Sequence, residues 1–165
     1  MPAVDLYIAY ITDQAVGKYN LLPVWLVDAL RAQKAFPTLD LGKVRYAEGI
    51  ETMQGDRPIT LEYNIFFPDT LNIADQNADR ADVLAVLHEL EHVAQTKRHD
   101  GVRPYCNKFI IQSAGAVSQS LQRRSWRAFV KNLHEYDGIE KDAVDKAKRL
   151  IDVVMEAAIR PPPES

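Results

Sequence analysis

Two periodicities alternate along the chain and divide it into elements. Residues 4 to 18 are expected to form a first helical stretch. A second is expected from Leu22 to Phe36, because Pro23 suits a first helical position and Pro37 stops the helix. Lys43 to Ala47 reads as a short strand. Ile59, Leu61, Tyr63, Ile65 and Phe67 then alternate with Thr60, Glu62, Asn64 and Phe66, the period of a strand, with Gly49 and Met53 to Arg57 as the turn before it. The period changes at Val83, Val86, Leu87 and Leu90, which share one helical face. Asn77 or Asp79 can cap this helix, Asp82 suits its first turn, Lys97 and Arg98 its last, and Gly101 its end. A helical stretch of roughly 105 to 134 follows, with a break near Gly115. After Gly138, Ile139, Ala143, Ala147, Leu150, Ile151 and Val154 make the apolar stripe of a last helix that ends before Pro161. The order of elements predicts an α+β fold, mostly helical, with a small antiparallel sheet.

The most informative signal sits inside the middle helix, where residues 88 to 92 read His88-Glu89-Leu90-Glu91-His92. Histidines at i and i+4 leave one helix face about a turn apart, so both imidazoles can hold one Zn²⁺. A glutamate beside the first can activate a water on that metal. By helical angle Glu89 and Glu91 lie equally close to the histidine face, so spacing alone does not choose the base. Gln95 falls near the same face, either as a partner that orients a ligand or as a surface residue. A structural zinc usually has four ligands rich in cysteine, and Cys106 is the only cysteine. A third ligand must come from elsewhere. Arg98 occupies the third-histidine position of the metzincin pattern and His99 is one residue, about 100° of helix, out of register. Glu140 flanks the last apolar stripe near its start and can face the metal helix. Asp137, Asp142, Asp145 and His134 are rivals on the same segment.

These residues carry a resemblance. The chain resembles small gluzincin-type zinc metallopeptidase domains, with H-E-x-x-H on one helix and a third-ligand glutamate on a later one. It also resembles the peptidase-like domain associated with extracellular contractile injection systems, the eCIS core domain. Pro58 to Leu61 followed by Asn64 to Phe67 resembles that family's strand region, Val86 to Gln95 its core motif, and Glu140-Lys141-Asp142-Ala143 its distal acidic motif. The likeness spans about residues 43 to 147. It implies a zincin-like fold with an active-site helix, Zn²⁺ held by His88, His92 and Glu140, and Glu89 as the catalytic base. Val144 departs from it, standing where many related peptidases place an aspartate.

Composition narrows the rest. A chain of 165 residues suits one zincin-like domain over residues 1 to 160, with 161 to 165 as a disordered tail. A net charge of −3 gives no pull toward nucleic acid or anionic lipid. Arg123, Arg124, Arg127 and Lys131 cluster near Trp126 and Phe129, and read as a solvated helix face. No apolar run is long enough to span a membrane, and the first residues lack a signal-peptide pattern. The default location is cytoplasmic, with export by another route left open. The expected activity is hydrolysis of peptide bonds in a peptide or protein substrate. Two other classes fit the same residues: a non-proteolytic zinc-binding module that docks to or loads a protein partner of a secretion or injection-type assembly, and a zinc hydrolase of non-peptide bonds. Tyr105, His134 and Tyr136 are the candidate oxyanion donors.

Overall fold

The computed structural model describes residues 2–52, 57–75, 77–98 and 138–159. Four α-helices and a four-stranded sheet are built from them: α1 (Pro2–Gln14), β1 (Asn20–Leu21), α2 (Val24–Ala32), β2 (Arg45–Ala47), β3 (Ile59–Leu61), β4 (Asn64–Phe66), α3 (Arg80–Arg98) and α4 (Gly138–Ile159). The fold is α+β and mostly helical. The proposed helix around 105 to 134, Cys106, the basic cluster and the three oxyanion candidates lie outside the described residues.

Strand order is β1-β2-β4-β3. β1 and β3 pair antiparallel with their neighbours, whereas β2 and β4 run parallel, so the small sheet is mixed and not the antiparallel one expected, because β3 lies outside β4 and leaves β4 to pair with β2. The alternating run from Ile59 to Phe67 is not one strand. It folds into a tight hairpin with Leu61 opposite Asn64, and Glu62 in the turn takes a φ of 55°. That left-handed conformation favours Gly, Asn or Asp, so the turn has no sequence signal.

Register explains why β4 is apolar on both faces. Tyr46 pairs with Ile65, and both join the core formed with α2, α3 and α4. Ala47 pairs with Phe66, and both pack against Ile11 and Ala15 of α1 on the opposite face, together with Ile50 and Leu61. The sheet is therefore a middle layer. Thr60 pairs with Ile65 and so projects from the edge strand toward α3.

Helix α2 stops at Ala32, short of the expected Phe36. Lys34 N–H donates to the Arg31 carbonyl and Ala35 N–H to the Leu30 carbonyl, with Lys34 at φ 50°. This is a Schellman cap with lysine where glycine is usual, which hides it from a sequence reading. At the other end Pro23 is the N-cap, not the first helical residue. Helix α3 begins as expected, with the Asp79 carboxylate accepting from Ala81 N–H at 2.7 Å and Asp82 N–H at 3.3 Å. Helix α4 buries Ile139, Ala143, Ala147, Ile151 and Val154, the stripe that lays it along α3. No described helix is long and apolar enough to cross a membrane.

Candidate metal centre

Residues 89 to 96 of α3 are buried without a break. A helix enclosed on all sides must give each polar side chain a partner, because an unpaired buried polar group costs on the order of 1–3 kcal/mol. Five of those eight residues are polar, and their partners define the centre.

His88 and His92 project together from α3, with Nε2 atoms 3.0 Å apart. The first turn of α4 brings Glu140 to both: Oε2 lies 3.4 Å from His88 Nε2 and Oε1 3.4 Å from His92 Nε2. Among the described residues these three form one group whose donor atoms lie within 4.8 Å of one another. Donors sharing a tetrahedral zinc at about 2.0–2.1 Å sit roughly 3.3 Å apart. The observed separations fit that requirement, and two imidazoles with one carboxylate are a donor set zinc accepts. The His92 side chain is enclosed, while those of His88 and Glu140 are 22% and 15% exposed, so solvent reaches the group past these two.

The charges respond to this closeness. Burial alone pushes the His92 imidazolium down, but the Glu140 contact, the charges of Glu89 and Glu140 and the bond to Gln95 together hold its pKa up at about 9. Burial likewise opposes ionisation of Glu140, and the contacts and charges of His88 and His92 outweigh it, keeping the carboxyl well below the usual carboxylate range. Negative charge is thus concentrated beside the His92 imidazole.

The two glutamates that spacing left equivalent have separate surroundings. Glu89 Oε2 accepts from Thr60 Oγ1 at 2.6 Å, and Oε1 lies 3.9 Å from His88 Nε2. Glu91 turns the other way. Its Oε1 accepts from the Arg98 guanidinium, and Oε2 lies 2.8 Å from Lys146 Nζ in α4, a charge contact outside hydrogen-bond angles. Lys146 also sits 4.0 Å above the Phe36 ring. Glu91 thus joins α3 to α4 through Lys146, whose ammonium also rests on a ring of the loop after α2.

Gln95 is buried, not on the surface. Its amide lies 2.9 Å from His92 Nδ1 and donates to the Ile139 carbonyl at 2.8 Å. The Thr96 hydroxyl donates to the His92 carbonyl at 2.9 Å. The rivals on α4 do not join the group: Asp142 is exposed, and Asp145 pairs with Lys141 at 2.8 Å. Asp137, His134 and His99 lie outside the described residues. Sequence reading missed Thr60. Its signal is only the strand alternation that turns it to the α3 side. It also missed the Glu91–Arg98–Lys146 network, which depends on how two helices dock.

No family model, no curated protein and no solved structure matches the chain. The reading of this centre therefore stands on its geometry and on the residue pattern.

Proposed function

We propose that this protein is a zinc-dependent metallopeptidase of gluzincin type, with His88, His92 and Glu140 as the metal ligands and Glu89 as the general base. The observation that carries the reading is the convergence of Glu140 from α4 on the two α3 histidines, with Glu89 Oε1 3.9 Å from His88 Nε2. Zinc at these donors would supply Lewis acidity toward a water and a peptide carbonyl. Glu89 takes the proton of the attacking water and passes it to the leaving amine. The Thr60 hydroxyl donates to Glu89 Oε2, and Oε1 is the oxygen on the His88 side, placed for that transfer. Strand β3 is at the sheet's edge and contacts α3, so an extended peptide can pair along it by strand addition and pass the His88 side of the group.

The test measures metal content and peptide hydrolysis together. Wild-type protein is expected to bind one zinc and cleave a subset of a mixed peptide library. Glu140→Ala is expected to lose most of the metal. Glu89→Gln is expected to keep it and lose cleavage by about 10²-fold or more. Absence of zinc binding in the wild type would refute the reading. Zinc binding with no hydrolysis of any peptide, and a partner complex indifferent to Glu89→Gln, would instead support the docking module.

A further inference from the structure

We infer that Gln95 is a positioning residue that serves two of the three donors at once, His92 directly and Glu140 through the first turn of α4. The inference deepens the metal-site part of the proposed function and does not depend on peptidase activity.

The chain of constraints starts at a group with no choice. The Ile139 carbonyl can only accept a hydrogen bond, so the NH₂ of Gln95 must face it, at 2.8 Å. The other end of the amide is then its carbonyl oxygen, 2.9 Å from His92 Nδ1. An oxygen there can only accept, so Nδ1 must carry a proton. In the neutral imidazole the bare nitrogen is then Nε2, the atom turned toward His88 and Glu140. One backbone carbonyl thereby selects the tautomer that a cation needs.

The same amide acts on the second helix. Ile139 precedes Glu140 in the first turn of α4, and both Ile139 and Gln95 are buried. The Gln95–Ile139 bond ties that turn to α3 about one turn beyond His92. Leucine at this position would keep volume and lose both bonds. Glutamate would keep the acceptor for Nδ1–H but set a carboxylate against the Ile139 carbonyl. The two substitutions therefore separate the two roles.

Zinc affinity, measured by competition with a chromophoric chelator, reads them. Gln95→Leu is expected to weaken zinc by about 10- to 100-fold, and Gln95→Glu to weaken it less. In a Glu140→Ala background, Gln95→Glu should equal Gln95, because the path through α4 has lost its ligand, while Gln95→Leu should still weaken binding. Imidazole ¹⁵N spectra of the metal-free protein at alkaline pH, where His92 is neutral, should show Nδ1–H in the wild type and lose that preference in Gln95→Leu. A purely structural role predicts lower urea stability in the variants with unchanged zinc affinity of the folded protein, and would overturn the inference. So would wild-type affinity and an unchanged tautomer in Gln95→Leu. A wild type that binds no zinc but has the Nδ1–H tautomer would refute the metal reading and with it the role assigned to Gln95.

Discussion

Glu91→Ala separates the two glutamates of the motif by stability. Glu91 is 2% exposed and faces two cations, Arg98 and Lys146. Removing one partner of a buried ion pair typically costs about 3–5 kcal/mol, because the remaining charge is stranded. Here the cations are not fully stranded. The Arg98 side chain is 53% exposed and that of Lys146 24% exposed, so both regain some water. Lys146 also keeps the Phe36 ring. The expected loss is therefore about 2–3 kcal/mol, below the buried-pair range. For a chain of 165 residues that lowers the melting temperature by roughly 4–12 °C. The assay is urea unfolding of the zinc-free protein followed by far-UV circular dichroism. Zinc affinity should change little, since Glu91 is outside the donor group. Adding Lys146→Met to Glu91→Met should recover part of the loss, as apolar replacement of both partners is often near neutral. The reasoning is refuted if Glu91→Ala costs under about 0.5 kcal/mol. It is equally refuted if that change abolishes hydrolysis with stability intact, which would make Glu91 the base.

Three further outcomes follow from the same geometry. The zinc-free protein should be most stable between about pH 4.5 and 6.5: the raised His92 pKa contributes fully below its ordinary 6.5 and is lost as pH rises through about 9, while the depressed Glu140 pKa contributes above its ordinary 4.5 and is lost as pH falls through its folded value. Melting temperature against pH checks this, and a maximum above pH 9 would contradict it. Thr60→Val should leave the buried Glu89 carboxylate short of a donor, costing about 1–2 kcal/mol with zinc affinity retained, and Thr60→Ser should restore it; equal unfolding midpoints for all three would show that the contact does nothing. Phe66→Ala should cost about 3–5 kcal/mol by opening a cavity between the sheet and α1, and a loss under about 1 kcal/mol would refute the middle-layer packing.

What the sequence made legible was whatever lies within one or two turns of itself. His88 and His92 share a face because of a spacing of four, and Asp79 caps α3 because of its place before the apolar period. The stripe from Ile139 to Val154 foretold which face of α4 is buried. The choice of Glu140 over Asp142 and Asp145 was not in the spacing. It depends on the rotation of α4 about its axis once that stripe is docked, which leaves the two aspartates outside. Backbone conformations were illegible where unusual residues adopt them. Glu62 and Lys34 both have positive φ without being Gly or Asn, so the hairpin and the end of α2 went unseen.

Helix α3 shows why polar residues mislead a reading based on period alone. From Glu89 to Thr96 it is enclosed on every side, yet Glu89, Glu91, His92, Gln95 and Thr96 are polar. A buried helix is normally apolar all round, and five polar residues in eight would predict solvent on one side. The contradiction resolves because each polar side chain meets a partner: Thr60 for Glu89, Arg98 at the helix end and Lys146 by charge for Glu91, Glu140 and Gln95 for His92, Ile139 for Gln95 and the His92 carbonyl for Thr96. Several of these contacts are to α4 and one is to β3, so they form only when the sheet edge and both helices are in register. Such a network is costly unless all of it is satisfied. The same residues that would hold a metal therefore also require the docking that brings Glu140 to it, and substitutions that loosen the first turn of α4, where Gln95 bonds the Ile139 carbonyl, should reduce metal affinity before they unfold the core.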